Sequence, residues 1–365
     1  MTHALRGRPA DASEPVDGVS EQVKDSSGGV ADARNAGYAG VAPVLAAALL
    51  WGTVGPAQVL AGSSASPVAV GACRMLLGGL VLGAFTARLP GLRTLWRPGV
   101  RGPMAVSILV TAAFQACFLA AVAKTGAALA TAAAFGTVPV VAGICTYVLT
   151  GERLSRAWWA GTPCAIVGIA LLLVPGSSGR ADPAGILLAV VAGTSFGVYI
   201  TMTKRIADRG ADTRSAAPVS VVCAGLLVSP VLFVAPEGLT EPRTLLLVGW
   251  LALATTALGY LLFTRGITRI SAATAGTLSL AEPLVATVLG LALLGERWSP
   301  AAGAGAVLLL AGLVVVSVPA PARRPRTPAP APNAVPPTRI RPAAGRVPSA
   351  PARRAPEPHD RNTPG

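Results

Sequence analysis

Apolar residues in this chain are gathered into long runs, and polar residues are confined to short breaks between them. About 20 residues of helix cross a hydrocarbon core of about 30 Å. By that measure ten runs qualify as spans, at 41–60, 66–87, 102–122, 126–149, 157–175, 183–203, 215–235, 244–264, 271–294 and 300–318. Spans 4 and 9 are the longest, and each carries a mid-span proline, Pro139 and Pro283. A proline there removes a backbone donor and crowds the preceding turn, so each of these helices is expected to be kinked or broken midway.

The runs are not independent. Lys124 to Pro175, moved forward by 144 positions, lies on Thr268 to Pro319 without a gap. Pro139 falls on Pro283, Gly151-Glu152-Arg153 on Gly295-Glu296-Arg297, Gly161 on Gly305 and Gly168 on Gly312. A weaker echo at offset 145 relates Trp51-Gly52 to Phe196-Gly197. Each copy holds five spans, an odd number, so the second copy enters the membrane with the opposite orientation. The predicted fold class is an all-α integral membrane protein whose ten transmembrane helices form two inverted five-helix repeats, 41–175 and 183–318.

Loop charge orients this layout, because cytoplasmic loops retain an excess of Lys and Arg. With the N-terminus inside, the inner loops hold twelve: Arg88, Arg93, Arg97, Arg101, Arg153, Arg156, Lys204, Arg205, Arg209, Arg214, Arg265 and Arg269. The outer loops hold four, Lys124, Arg180, Arg243 and Arg297. Both termini are therefore expected in the cytoplasm, with the protein in the cell membrane.

Composition agrees with a bilayer as solvent: 52% of residues are hydrophobic and only 13% charged. The tails differ from the body. Residues 1–40 carry six acids and four bases, and 319–365 carry nine arginines and fourteen prolines, so both are expected to be disordered. The net charge of +14 lies in loops and tail, with no aromatic–basic stripe or docking motif. Nucleic acid is not an expected partner. Five cysteines lie in apolar runs without CxxC spacing, and the two histidines, His3 and His359, are in the tails. These features predict no metal site, no cofactor and no catalytic triad in the folded body.

Two charges lie deep in the spans. Glu282 is twelfth in span 9, about 18 Å from its outer end, and its repeat partner is the apolar Val138. A carboxyl near the midplane costs on the order of 2.5–3.5 kcal/mol on insertion scales, so it is expected to face a cavity or a partner. It can couple proton entry to cargo release, or it can be held in a permanent ion pair. Arg74 lies about 12 Å below the outer boundary of span 2. It can hold an anionic group of the cargo, or it can neutralise Glu282. Trp51 lies beside Gly52, Gly55 and Pro56, where span 1 is expected to bend; the indole can gate or stack on cargo, or it can simply pack. Gln115, Tyr199, Tyr260 and Ser279 are further candidates to line a cavity with hydrogen-bonding groups. The Gly-Glu-Arg corners read as architectural, with each Glu favouring the positive end of the next helix. Gly161 with Gly168, and Gly305 with Gly312, are two turns apart and form smooth faces for helix contact.

The residues taken together resemble the EamA-like branch of the drug/metabolite transporter superfamily. The likeness rests on the opening LLWGTVGPA (49–57), the arginine of CRMLLGG (73–79), and Pro139 and Pro283, each followed twelve positions later by Gly-Glu-Arg and then by a G-x6-G pair. It covers residues 41–318. The resemblance implies a ten-helix carrier with both ends cytoplasmic, spans 5 and 10 at the periphery, and the others around a central cavity. Members move amino acids, sugars, nucleotides, amines or drugs, often by proton exchange. The expected function is secondary active transport of a small metabolite or drug by alternating access. An intramembrane enzyme or flippase acting on lipid-linked substrates is the alternative, disfavoured because the spans offer one Glu and one Arg. No phosphate-binding loop for an ATP motor is present. Peripheral spans 5 and 10 leave room for a homodimer.

Overall fold

A computed structural model of the chain describes residues 38–173, 182–294 and 299–318. The two tails, the Gly295-Glu296-Arg297 corner, Arg180, Pro175 and Pro319 lie outside the described residues. Among the described residues the regular structure is helical, and ten helices are long and apolar enough to cross a membrane. They are span 1 (Tyr38–Ala61), span 2 (Pro67–Thr86), span 3 (Arg101–Thr125), span 4 (Ala127–Thr150) and span 5 (Arg156–Leu173), then span 6 (Pro183–Asp208), span 7 (Thr213–Val234), span 8 (Pro242–Ile267), span 9 (Ala272–Leu294) and span 10 (Pro300–Ser317). The all-α, multi-pass fold read from hydropathy is the observed one.

The helix ends follow from local chemistry. Spans 2, 6, 8 and 10 each begin with a proline, whose missing N–H would be unpaired there in any case. Asp182 caps span 6 by accepting from the Ala184 amide at 2.8 Å, and Ser299 caps span 10 by accepting from Ala302 at 3.1 Å. A short helix, Leu89–Leu95, occupies the loop between spans 2 and 3. It is tied to the start of span 7, where Thr94 Oγ1 accepts from the Asp212 amide at 3.1 Å.

Glycines set how closely the spans approach, and their contacts recur in pairs. A Cβ at Gly161 would meet the Gly312 carbonyl at 2.7 Å, and one at Gly312 would meet the Gly161 carbonyl at 2.6 Å. One turn-pair along, Gly305 faces the Gly168 carbonyl at 2.7 Å. Between them Cys164 Sγ donates to the carbonyl of Leu308, its counterpart 144 positions on, at 3.4 Å. Spans 5 and 10 therefore cross antiparallel, with each half presenting the same surface to the other. Spans 2 and 7 do likewise: a Cβ at Gly79 would meet Val222 Cγ2 at 2.6 Å, and one at Gly225 would meet Leu76 at 3.1 Å.

The same matching extends to the interior. Gly52 of span 1 lies against the Glu282 carbonyl and Val285 of span 9, while Gly197 of span 6 lies against the Val138 carbonyl and Val141 of span 4. These contacts superpose under the sequence offset of 144–145. The two proline-bearing spans nevertheless differ. Span 4 runs as one helix through Pro139, whereas span 9 is interrupted at Ser279-Leu280, just before Glu282-Pro283. A kink or a break is expected at each proline; span 9 is broken beside Pro283, and span 4 is unbroken at Pro139.

Candidate functional site

The break in span 9 fixes the position of Glu282. Pro283 has no N–H to give, and the chain closes the turn with shorter-range bonds: Leu280 N–H to the Thr277 carbonyl at 3.0 Å and Glu282 N–H to the Ser279 carbonyl at 3.1 Å. A new helix, Ala281–Leu294, starts there with Glu282 in its first turn. Its carboxylate thus occupies the positive end of a half-helix inside the bundle. Gly52 leaves the space in which span 1 closes over this start.

Glu282 opens onto a cavity of about 110 Å³. That is room for several waters or a small organic molecule. Arg74 of span 2 lies on the same cavity. Its Nη2 donates to Oε1 of the buried Gln115 in span 3 at 3.0 Å. Among the described residues the ion pairs within 4.0 Å are Lys124–Asp182 and Lys204–Asp208, so Arg74 and Glu282 share the cavity without a direct bridge. Guanidinium and carboxylate are presented to the cavity separately.

The rest of the wall is aromatic. Span 1 is interrupted for one residue at Thr53, whose Oγ1 bonds back to the Leu50 carbonyl at 2.7 Å, and Trp51 just before it lies on the cavity wall. The indole N–H donates to the Thr255 carbonyl at 2.8 Å. Thr255 lies in a π-helical stretch of span 8, Leu251–Leu258, and Gly259 just beyond it leaves room for the indole. Such widened turns recur at functional sites because they redirect backbone groups. Trp51 meets Phe196 edge-on at 5.9 Å and Tyr260 at 5.6 Å. Phe114 and Phe118 stack at 5.5 Å on the span 3 side.

Of the residues singled out from sequence, Trp51, Arg74, Gln115, Tyr260 and Glu282 line this cavity. Tyr199 lies behind it, 6.0 Å from Tyr260 between ring centres and buried, and Ser279 is enclosed with its hydroxyl on the Ala275 carbonyl. Pro283 sets the break, and Pro139 lies within an unbroken helix. Sequence reasoning passed over Gln58, Phe114, Phe118 and Phe196 as wall residues. Phe196 could have been found, because it is the repeat counterpart of Trp51. The two other phenylalanines offered no mark to separate them from lipid-facing filler. Among the described residues no group of three or more His, Cys, Asp or Glu could hold a metal ion.

Comparison with known proteins bears on this arrangement. The model of the EamA-like transporter family matches residues 38–174 and again 183–318. A Bacillus subtilis (strain 168) protein named "Uncharacterized transporter YwfM" is 36% identical over 277 residues, covering 75% of this chain and 92% of its own length. A Salmonella typhimurium (strain LT2) protein named "Probable amino-acid metabolite efflux pump" is 30% identical over 177 residues, 45% of this chain and 58% of that protein. A solved crystal structure aligns with a TM-score of 0.65 at 21% identity, covering 78% of this chain and 96% of that one, a likeness of fold alone.

Proposed function

Because the chain belongs to the EamA-like transporter family, we propose that it is a secondary carrier of a small polar metabolite, an amino acid or amine among the candidates, working as an exporter. The observation that carries this reading is the cavity itself. It is enclosed by spans from both halves, walled by aromatic rings, and holds one guanidinium and one carboxylate that are not bridged to each other. A cargo bearing groups of either sign can be held there. The name of the Salmonella typhimurium relative, an amino-acid metabolite efflux pump, supports the amino-acid class and the outward direction.

In this reading the two five-helix halves are inverted repeats that rock about the central site. The matched contacts of spans 5 and 10, of spans 2 and 7, and those of Gly52 on span 9 and Gly197 on span 4 support that symmetry. The distribution of Lys and Arg among the loops supports cytoplasmic termini in the cell membrane. Glu282 is the proton-coupling group: cargo arrival favours loss of its proton, and the proton returns on the opposite side. The first test is proton release from detergent-purified protein in weak buffer on adding amino acids and amines, with Glu282→Gln as control. Release that vanishes in the variant supports proton exchange. Ligand binding without release removes Glu282 from coupling and leaves a uniporter or solute exchanger. Counterflow in proteoliposomes separates any carrier from a channel or an intramembrane enzyme, neither of which produces it.

A further inference from the structure

The Arg74–Gln115 hydrogen bond has a geometry that a merely buried pair would not need. Gln115 is enclosed in span 3, and its Oε1 accepts from Nη2 of Arg74 at 3.0 Å. Its amide nitrogen lies over Gly71, one turn before Arg74 on span 2, so closely that a Cβ at position 71 would collide with Nε2. Gly71 thus opens a notch that admits the amide, and the amide in turn fixes one edge of the guanidinium. A guanidinium carries five donors in a planar fork. One is taken by Gln115, and among the described residues no acid lies within 4.0 Å of the others. The neutral carbonyl of Gln115 orients the cation without cancelling its charge, as a carboxylate in its place would.

We propose that Gln115 is a positioning residue which, seated in the Gly71 notch, aims the free edge of Arg74 into the cavity as a clamp for a planar carboxylate on the cargo. Gln115 thereby sets selectivity for carboxylate-bearing cargo over its amine-only counterpart. The planar fork suits a carboxylate because two parallel N–H···O bonds form at once. A guanidinium free to rotate forms them less often and pays more ordering entropy on binding. This rests on the carrier reading above, and it is separable from it because binding in detergent and flux in liposomes are read independently.

The test uses the full chain in detergent and three probes with the same apolar tail: leucine, 4-methylpentanoate, which lacks the amine, and isoamylamine, which lacks the carboxylate. Binding is followed by calorimetry for the wild type, Gln115→Leu, Gln115→Glu and Gly71→Ala. In the wild type the two carboxylates are expected to bind at least tenfold more tightly than isoamylamine. Gln115→Leu and Gly71→Ala, which remove the acceptor or its notch, are expected to cut that ratio about tenfold while changing isoamylamine by less than twofold. Gln115→Glu keeps size and polarity and occupies the fork with an internal carboxylate, so it is expected to abolish the preference. A general loss of folding would weaken all three probes together and leave the ratio unchanged.

If no wild-type carboxylate binds more tightly than isoamylamine, or if the ratio survives in a Gln115→Leu or Gly71→Ala protein whose isoamylamine binding is within twofold of wild type, the proposal is overturned. Counterflow of each of the three probes in proteoliposomes is measured alongside. Flux with an unaltered ratio sinks the clamp and spares the carrier. A carboxylate preference in binding without counterflow for any probe sinks the carrier and spares the clamp.

Discussion

The crossing of spans 5 and 10 gives a quantitative prediction. In Gly161→Ala the new Cβ would lie 2.6 Å from Val316 Cγ2 and 2.7 Å from the Gly312 carbonyl oxygen; in Gly312→Ala it would lie 2.6 Å from the Gly161 carbonyl oxygen and 2.7 Å from the Ala165 nitrogen. Non-bonded heavy atoms are comfortable at about 3.5–4.0 Å, so either substitution forces the helices apart by about 1 Å. A gap of that size forfeits a quarter to a half of the dispersion attraction across the layer. In a bilayer that attraction is the main force joining two apolar helices. Each single variant is expected to lose about 1–3 kcal/mol, the usual cost of overpacking. The double variant should cost little more than the worse single one, because its second methyl enters a gap already opened. The coupling is then on the order of 1 kcal/mol or more and opposite in sign to the single effects. Unfolding in mixed micelles titrated with dodecyl sulfate, followed by tryptophan fluorescence, measures all three. Gly102→Ala, whose added Cβ meets nothing within 4 Å, serves as the control and is expected to be neutral or to gain up to about 1 kcal/mol. Strictly additive losses, or a Gly161→Ala as harmless as the control, would refute the reciprocal contact.

Other outcomes follow from single features. Trp51→Phe keeps an aromatic ring but removes the donor to the Thr255 carbonyl, and is expected to cost about 1 kcal/mol in the same unfolding assay. Asp212→Ala removes the cap that accepts from the Arg214 amide at 3.1 Å and from Ser215 Oγ at 2.8 Å; a loss of about 0.5–2 kcal/mol is expected, and Asp212→Asn should recover most of it. Pro283→Ala supplies an N–H that can reach the Ser279 carbonyl, so amide exchange through 280–284 should slow several-fold and counterflow should fall. Glu282→Gln is expected to retain counterflow while losing the dependence of uptake on an imposed pH gradient; a variant that still responds to the gradient would end its assignment as the coupling group.

The large-scale fold was legible because its cause is large-scale. A bilayer selects runs of about 20 apolar residues, and short loops leave little choice of neighbours. The duplicated glycines were legible as packing features because nothing else explains a gap in side-chain volume at matched places. Their partners were not, since sequence spacing gives a face and not what the face meets. The difference between Pro139 and Pro283 escaped for a related reason. Both prolines remove the same donor, and both sit beside a glycine contact of the same kind, Gly197 on the Val138 carbonyl and Gly52 on the Glu282 carbonyl, so neither the proline nor its matched neighbour distinguishes the whole helix from the broken one. The π-helical stretch of span 8 depends on backbone register under packing, and Leu251–Leu258 has no proline to announce it. Intramembrane charge pointed to Arg74 and Glu282 because charge is rare there. Phe114 and Phe118 are ordinary residues in an apolar run, and only their neighbours make them a wall.

The interruption of span 9 has a mechanical consequence. Below the break, the Ala272–Leu278 segment is keyed to span 4, where Gly276 leaves room for Ala142 and Pro139. Above it, the Ala281–Leu294 segment is keyed to span 1 through Gly52, which touches the Glu282 carbonyl and Val285. Span 9 is therefore two short rods on a common pin, both resting on spans 5 and 10, with the lower also keyed to span 4 and the upper to span 1. A tilt of the upper rod would press on Gly52 beside Trp51, whose indole is bonded to the Thr255 carbonyl of span 8. The carboxylate and the indole ride on one linkage, so whatever moves the first has leverage on the second.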